Sequence, residues 1–415
     1  MSPPEKPAEA QQHGHLHKTF RAFHFPKFRL MWFGAFTSTS GAFVQEIAQS
    51  WFIYELTTDP FLLGLVVLLN NVPILLFSLI GGVAADRMDR RKLLIGSQLV
   101  QMAAALALAV LIWLDLIEIW HILTAAFFTG LGQAFGGPAY QALIPSLVDK
   151  EDLPNAVALM SIQFNLASVV GRGIGGVISA AFGAAACFFI NSLSFLAVIG
   201  SLLMLPSTYV PNKNQVNMME SLKQGLRFVT HTTAMSTLVV LAVATAFFGV
   251  PVMAMLPVFA KDIFLLSDRG FGAMAAVFGV GGIVGALYVA WMGNRKKKGV
   301  RALWMQVLLG AVVLVFALSR SLPLSCILLA LAGASILAVF ASINSLVQLN
   351  APEDMRGRIM SVYNTAFRGS MALGPPVAGY LAREYGAPDV IAANGAILVV
   401  VALWFLARSK AVKEL

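Results

Sequence analysis

Glu46 is an acidic side chain deep inside a long apolar segment. The sequence contains 20 Asp and Glu residues, and the other 19 lie in loops, in tails or at the ends of apolar segments. An ionised carboxylate in such a segment costs free energy unless it is paired or hydrated, so it usually serves a function. Glu46 is therefore a candidate for proton uptake and release. The alternative is a structural acid that is hydrogen-bonded to a neighbouring helix.

Two arginines also lie inside apolar segments, each at one end of a polar stripe. The stripes have helical spacing and comprise Ser161, Asn165, Ser168 and Arg172 in one segment and Ser361, Asn364 and Arg368 in the other. A guanidinium group presents five donors that match carboxylates and other oxygen-rich anions. We expect Arg368 to attract such a ligand in a central cavity. Arg172 is either a functional partner of an acid or a buried structural cation.

Amide side chains in the apolar segments could bind a substrate through hydrogen bonds. The candidates for a substrate cavity are Gln45, Gln49, Asn70, Gln133, Asn165, Asn344 and Asn364. Amides inside the membrane also form contacts between helices, and for each of these residues that alternative stays open.

Motifs for enzyme chemistry and for an ATP motor are absent from the sequence. There is no Gly-Lys pair for a phosphate-binding loop, no His-Glu-x-x-His and no Gly-x-Ser-x-Gly. We therefore expect no enzymatic activity, no cofactor and no metal, and we interpret His13, His15 and His17 as part of a solvated tail. If the protein transports a substrate, a gradient of that substrate or of an ion must then drive the transport.

The elements that must position these side chains are membrane-spanning helices. Hydrophobic residues make up 58% of the 415 residues and charged residues 12%, too few charges to cover a soluble fold of this size. A helix needs about 20 apolar residues to cross the bilayer. The sequence predicts an all-helical membrane protein with twelve spans near residues 29–55, 61–84, 93–114, 119–146, 156–181, 185–205, 235–259, 271–292, 301–319, 323–348, 358–381 and 388–407.

Lys and Arg are distributed unequally between the two ends of these spans. If both termini lie on one side, that side holds 23 of the 29 Lys and Arg residues and the other side holds four. Because positively charged loops stay in the cytoplasm, we expect both termini there. The net charge of +9 then reflects topology and contacts with membrane lipids, and no nucleic-acid partner is expected.

An internal repeat divides the chain into two halves. A shift of 203 residues superposes the first six spans on the last six and pairs Gly82 with Gly285, Gly171 with Gly374, Gly176 with Gly379 and Gly183 with Gly386. The repeat predicts two pseudo-symmetric six-helix halves with a substrate site between them. The predicted organisation is a cytoplasmic tail (1–27), an N-terminal half (28–205), a cytoplasmic connector with an amphipathic helix (206–234), a C-terminal half (235–408) and a cytoplasmic tail (409–415).

Three Gly-x-x-x-Gly motifs predict close approach of helix backbones. They begin at Gly132, Gly171 and Gly281. We expect spans 5 and 8, which carry the second and third motifs, to form a contact between the two halves.

The loop after the second span resembles the signature of the major facilitator superfamily. Gly82-Val-Ala-Ala-Asp86-Arg87-Met-Asp89-Arg90-Arg91-Lys92 is similar to Gly-x-Leu-Ala-Asp-Arg-x-Gly-Arg-Arg/Lys, with Ala84 for Leu and Asp89 for the second Gly. The resemblance covers about residues 20–408 and implies the twelve-helix fold of that superfamily. It also implies a conformational latch on the cytoplasmic side, formed by Gly82, Asp86, Arg87, Arg90, Arg356 and Arg358.

Two further resemblances narrow the expected function. The run Gly171-Arg172-Gly173-Ile174-Gly175-Gly176 is similar to the antiporter signature Gly-Pro-x-x-Gly-Gly, with Arg in place of Pro. Gln45, Trp51, Tyr54-Glu-Leu-Thr57, Pro73 and Arg356-Gly357-Arg358 resemble a bacterial exporter branch that includes the enterobactin exporter, macrolide efflux pumps and a lysophospholipid transporter. Spans 1 and 5 adjoin in the superfamily's fold, which implies an ion pair between Arg172 and Glu46.

Together, the residues and the resemblances predict a monomeric secondary transporter in the inner membrane of a bacterium. We expect it to export a small organic molecule of the drug or siderophore class, by proton antiport and alternating access. The alternatives are a lysophospholipid flippase or an uptake symporter. A receptor or scaffold without transport activity is the alternative from another class, and the lack of a large signalling loop in the sequence counts against it.

Overall fold

The computed structural model describes residues 20–205, 218–292, 297–353 and 355–409. Within these ranges the chain forms helices and no strand, as the sequence predicts. Parts of the expected tails and connector lie outside the described residues, at 1–19, 206–217 and 410–415. His13, His15 and His17 belong to the first of these segments.

Twelve long helices, numbered here after the predicted spans, make up most of the described chain. They are α1 (Pro26–Thr57), α2 (Pro60–Arg87), α3 (Arg90–Trp113), α4 (Ile119–Leu143), α5 and α6 (153–182 and 184–203, the two arms of Leu153–Leu203), α7 (Thr233–Ile263), α8 (Asp268–Met292), α9 (Lys298–Leu318), α10 (Leu322–Asn350), α11 (Arg356–Tyr385) and α12 (Ala387–Arg408). Each begins and ends within a few residues of its predicted span.

Eight of the described helices, with Leu153–Leu203 counted as one, are long and apolar enough to cross a membrane. The remaining long helices, α1, α4 and α11, are less apolar because they carry polar side chains such as Glu46, Gln133 and Arg368. Polar residues within membrane helices usually face the bundle interior or a water-filled cavity. Their composition is therefore typical of helices that line a central gap.

Two glycines with positive φ separate the last two helices of each half. Gly183 has φ +78° between α5 and α6, and Gly386 has φ +87° between α11 and α12. A side chain is strained in this region of φ, whereas glycine adopts it readily. The two positions are related by the repeat shift of 203 residues, so both halves reverse direction by the same local device.

Small residues let the helices of each half approach closely. A Cβ atom on Gly130 in α4 would overlap the carbonyl oxygen of Asn70 in α2, and one on Gly333 in α10 would overlap that of Phe278 in α8. Gly130 and Gly333 are a further pair at the shift of 203 residues. The repeat therefore preserves contacts between equivalent helices as well as glycine positions.

The Gly-x-x-x-Gly motifs of α5 and α8 pack within the halves and do not join them. Gly171 and Gly175 contact α1, while Gly281 and Gly285 contact α10. The halves do meet along α5 and α8, as expected, but through another glycine pair that is described below. The motif spacing predicted close contacts correctly, and the partner helices could not be read from it.

The connector helix (Met218–His231) packs against the start of α11. A Cβ atom on Gly225 would lie 2.5 Å from the carbonyl oxygen of Arg358. Val229 is buried, whereas Leu226 is exposed. The sequence predicts an amphipathic helix on the membrane surface, and the buried side of the observed helix instead contacts the C-terminal half.

Candidate functional site

The two ends of the bundle differ, and we name them by their residues. The basic end carries the turn between α2 and α3 with Arg90, and the start of α11 at Arg356. The closed end carries the turn between α1 and α2 at Thr58, and the end of α11 at Tyr385. Odd-numbered helices run from the basic end to the closed end.

At the closed end, two glycine seams join the halves. In the first seam a Cβ atom on Gly176 of α5 would lie 2.7 Å from the Cα atom of Gly272 in α8. In the second a Cβ atom on Gly379 of α11 would lie 2.5 Å from the carbonyl oxygen of Pro60 in α2. Gly176 and Gly379 are a repeat pair, so the seams are pseudo-symmetric.

Polar and aromatic side chains reinforce the closed end across the same boundary. The hydroxyl of Tyr54 in α1 donates a hydrogen bond to the Asp262 carboxylate in α7. Arg383 lies 3.7 Å from Asp59, the residue that caps the N-terminus of α2. Trp51 stacks on Phe271 of α8, with ring centroids 5.9 Å apart. We call these three pairs the closed-end gate: Tyr54–Asp262, Asp59–Arg383 and Trp51–Phe271.

Toward the basic end the halves separate. Gly379 lies on the face of α11 that contacts α2, and Arg368 lies three helical turns earlier on the same face. Asn364 and Arg368 are nevertheless exposed, and among the described residues neither has an ion-pair or hydrogen-bond partner. The α11 face that is sealed at the closed end therefore borders an open gap nearer the basic end.

Glu46 of α1 and Arg172 of α5 form an ion pair within the N-terminal half. Nη2 of Arg172 lies 3.2 Å from Oε1 of Glu46. The Arg172 side chain is 15% exposed and the Glu46 side chain 46% exposed. The carboxylate is thus reachable from solvent or lipid, while its cationic partner is mostly enclosed.

Other groups on α5 and α1 hold the Arg172 guanidinium in place. Nη1 donates a hydrogen bond of 2.5 Å to Oγ of Ser168, one turn earlier in the polar stripe. The Phe43 ring lies 4.5 Å below the guanidinium carbon, a cation–π geometry. Nε is buried without a hydrogen-bond partner in the described part of the chain. One N–H group of Arg172 thus has no acceptor among the described residues.

The amides proposed for a substrate cavity divide into two groups. Gln45 accepts a hydrogen bond of 2.6 Å from Asn191 in α6 and donates one to Gln49. Asn70 donates to a carbonyl oxygen of α4, and Gln133 donates to Gln101 of α3. These four therefore contribute to polar contacts within the N-terminal half.

In the second group, the amides form hydrogen bonds within their own helix or have no hydrogen-bond partner among the described residues. Asn165 donates to the carbonyl oxygen of Ser161, and Asn344 accepts from Gln348 in α10. Asn165 and Gly176 share the face of α5 that turns toward α8. Asn165 on α5 and Asn364 and Arg368 on α11 thus lie on helix faces that turn toward the other half.

The loop signature caps helix ends at the basic end. Arg90 donates to carbonyl oxygens of Ala85 in α2 and Ala142 in α4, and Arg91 donates to carbonyl oxygens at the end of α6. Last-turn carbonyls have no partner within the helix, so basic side chains stabilise them. The signature thus joins the ends of α2, α4 and α6 into one structural unit.

The proposed latch residues are not brought together in this structure. Asp86 and Arg356 are exposed and form no ion pair within the described ranges. Arg358 donates to Gln224 of the connector helix, and a Cβ atom on Gly82 would meet nothing within 4 Å. Arg87 is likewise exposed. This arrangement fits a state in which the basic end is open, since the latch is expected only when that end closes.

The closed-end gate includes functional candidates that sequence reasoning missed. Asp262 and Arg383 lie just beyond the predicted spans 235–259 and 358–381, yet each extends from a helix end to a partner in the other half. A partial signal was available, because Asp59 directly precedes Pro60 and so marks a helix start. The pairing itself joins residues more than 200 positions apart, which local patterns cannot reveal.

This fold and site define a class of protein: a helical membrane transporter built from two six-helix halves around a gap. The chain also matches the family model described as transmembrane secretion effector, within the major facilitator superfamily, over residues 17–414. It therefore belongs to that family and is a transporter, not an enzyme.

Known relatives agree with this assignment. The chain is 27% identical to the multidrug efflux pump Tap of Mycolicibacterium fortuitum over 86% of this chain and 89% of Tap. It is 22% identical to macrolide efflux protein A of Streptococcus pyogenes, over 91% and 94% of the two chains. It is 28% identical to the staphyloferrin A transporter of Staphylococcus aureus, over 60% and 62%.

A solved structure supports the fold. The crystal structure of a mutant form of the nucleoside transporter NupG has a TM-score of 0.76 to this structure at 12% identity, and the match covers 92% of this chain and 100% of the NupG chain. At this identity the likeness establishes the fold alone. The predicted twelve-helix fold of the major facilitator superfamily is therefore confirmed.

Proposed function

We propose that this protein exports a small organic molecule from the bacterial cytoplasm by alternating access coupled to proton antiport. The observation that carries the proposal is the ion pair between Glu46 and Arg172, which joins α1 to α5. A half-exposed carboxylate can take up a proton, and protonation removes the negative charge that holds Arg172. The pair is therefore a means of linking proton binding to the contact between α1 and α5.

The proposal orients the basic end toward the cytoplasm. The excess of Lys and Arg at that end supports this orientation, because basic loops resist translocation. In that orientation the open gap faces the cytoplasm, where an exporter collects its substrate. The closed-end gate then seals the outer side, and the next step of the cycle opens it while the latch residues close the inner side.

The proposed substrates are drugs or siderophores. Similarity to the multidrug pump, the macrolide efflux protein and the staphyloferrin A transporter supports this class. Arg368 and Asn364 on the open face of α11 are the proposed contacts, because a guanidinium and an amide bind oxygen-rich ligands well. In this proposal Asn165 and Asn344 complete the polar lining.

Transport in proteoliposomes tests the coupling. The purified protein is reconstituted, a pH gradient is imposed and uptake of a radiolabelled macrolide is followed, in parallel with staphyloferrin A. In Glu46→Gln, which keeps size and hydrogen bonding but does not titrate, we expect the pH gradient to lose its effect while counterflow exchange of substrate continues. Glu55→Gln is the matched control, since Glu55 is an exposed acid at the end of the same helix.

The other outcomes are informative. Full response to the pH gradient in Glu46→Gln would contradict the assigned role of Glu46. Accumulation with the proton flux, in place of exchange against it, would identify an uptake symporter. Movement of a fluorescent lysophospholipid between leaflets, without macrolide or siderophore transport, would identify a flippase. No transport of any probe by folded protein would favour the receptor or scaffold.

A further inference from the structure

A cleft of about 370 Å³ lies in the C-terminal half between α7, α11 and α12. Val377, Leu381 and Tyr385 line it from α11. These positions lie on the side of α11 opposite Gly379, which contacts α2. The cleft therefore opens away from the gap between the halves and toward the surrounding lipid, so it is separate from the site described above.

Asn394 and Asp389 line the cleft, and neither has a side-chain hydrogen-bond or ion-pair partner among the described residues. Asn394 is 8% exposed, and its amide has no hydrogen-bond partner among the described residues. An amide on a mostly enclosed residue that has no protein partner can hydrogen-bond to a ligand or to water that enters the cleft. Asp389 lies in the first turn of α12, and of the described residues that line the cleft it alone carries a charge.

The N-terminal half shows what this region looks like when it is filled. The repeat shift places Asn191 at the position of Asn394 and Cys187 at that of Val390. Asn191 donates to Gln45 of α1, and the buried Cys187 packs with Val44. The equivalent space in the first half is therefore closed by α1.

In the C-terminal half α7 does not close the space. A π-helical turn, Thr245–Gly249, interrupts α7 at this level, and such turns often mark functional sites. It presents the rings of Phe247 and Phe248, packed edge to face at 4.9 Å, where α1 presents an amide. A phenyl ring is a much weaker hydrogen-bond acceptor than the Gln45 amide oxygen, and the cleft on this side is open and aromatic.

We propose that this cleft is a second binding site, specific for lipophilic organic cations that reach it from the membrane. The Asp389 carboxylate neutralises the positive charge, and the phenyl and phenol rings of Phe247, Phe248 and Tyr385 stabilise it by cation–π contacts. The apolar walls bury the hydrophobic body of the ligand. The unpartnered Asn394 amide adds a dipole at the floor. A lipophilic anion of the same shape meets the same walls with an unfavourable charge.

Equilibrium binding to the full-length protein in lipid nanodiscs tests the site. The probes are tetraphenylphosphonium and tetraphenylborate, which have nearly the same shape and opposite charge. We expect Asp389→Asn to weaken tetraphenylphosphonium binding about three- to fivefold, as loss of one exposed charge contact predicts. Binding of tetraphenylborate should not weaken. Glu384→Gln, which removes a neighbouring acid outside the cleft, is the matched control and should bind both probes like the wild type.

A variant that fills the cleft with a larger side chain and a photolabelling experiment complete the test. Ala393→Trp places an indole in the cleft and should abolish phosphonium binding without loss of folded protein. A photoreactive phosphonium on the wild type should label α7, α11 and α12 at the cleft. Unchanged phosphonium affinity in Asp389→Asn, or labelling confined to α1 and α5, would overturn the proposal even if Ala393→Trp fails to fold.

Discussion

The Arg172 guanidinium is held by three side chains. It contacts the Glu46 carboxylate, the Ser168 hydroxyl and the Phe43 ring, which come from two helices of one half. Because Glu46 is half exposed, the pair contributes little to stability, on the order of 1 kcal/mol or less. The pair therefore matters mainly for geometry, because it fixes which partner the Arg172 guanidinium faces.

Two variants distinguish the role of the Arg172 charge from that of the guanidinium shape. Arg172→Lys keeps the positive charge but loses the fork that binds Ser168 and Glu46 together. We expect transport driven by a pH gradient to fall at least about tenfold in Arg172→Ala and less in Arg172→Lys. Melting temperatures should drop by only about 2–4 °C in both variants. Equal transport in wild type and Arg172→Ala would show that the pair has no part in the cycle.

At the scale of elements, the α5–α8 and α2–α11 seams join the two halves at the closed end. Both seams consist of glycines in backbone contact near the closed end. Backbone contact of this kind leaves no room for a Cβ atom, so a larger residue must push the helices apart. An increase in side-chain volume should therefore disturb the packing at the seams, whereas it should have little effect at the exposed positions of the basic end.

Gly176→Val should therefore shift the protein away from the observed state. With a single cysteine at Asn364, which is exposed in this state, we expect the rate of thiol alkylation to fall several-fold in Gly176→Val. Gly200→Val is the matched control, because a Cβ atom on Gly200 in α6 meets nothing within 4 Å. Identical alkylation rates in the two variants would show that the glycine seam does not control access to the gap.

The latch residues make a complementary prediction. Asp86 forms no ion pair within the described residues, so Asp86→Asn should leave the melting temperature of the observed state unchanged. Turnover should nevertheless fall at least about tenfold, because the charge that faces α11 after closure of the basic end is lost. Asp115→Asn, at an exposed turn of the opposite end, serves as the control. Near-normal turnover in Asp86→Asn would remove the latch from the proposed cycle.

At the scale of the whole molecule, both seams, the closed-end gate and the large apolar cluster lie toward one end. That cluster contains residues of both halves, including Trp51, Phe259 and Phe271. Burial of so much apolar surface stabilises the closed end, while polar residues line the separated faces at the other end. The molecule is thus divided along its length into a sealed part and an open part.

The orientation of this division in the membrane is open to direct measurement. In a variant with Cys187 and Cys326 changed to Ala, single cysteines at Glu353 and Asp115 report opposite ends, and both positions are exposed. We expect a membrane-impermeant maleimide added to intact cells to label Asp115→Cys and not Glu353→Cys. In inverted vesicles the pattern should reverse. Labelling of Glu353→Cys in intact cells would invert the proposed topology.

The sequence by itself determined the membrane class, the twelve helices, the repeat and the family resemblance. These properties are local, because apolar length and loop charge act on each segment separately, and glycines such as Gly183 and Gly386 recur at a constant shift. It also predicted the partnership of Glu46 and Arg172, because the resemblance to the superfamily placed spans 1 and 5 side by side.

Only the tertiary structure decided which side chains of distant helices meet. The sequence makes Gln45 a cavity candidate and places Asp262 beyond the end of a span, but it does not specify that Asn191 bonds to Gln45 or that Tyr54 bonds to Asp262. The open end of the gap and the cleft beside Asn394 likewise depend on how whole helices pack. Hydropathy and spacing specify which face of a helix is polar, and packing against other helices decides what that face contacts.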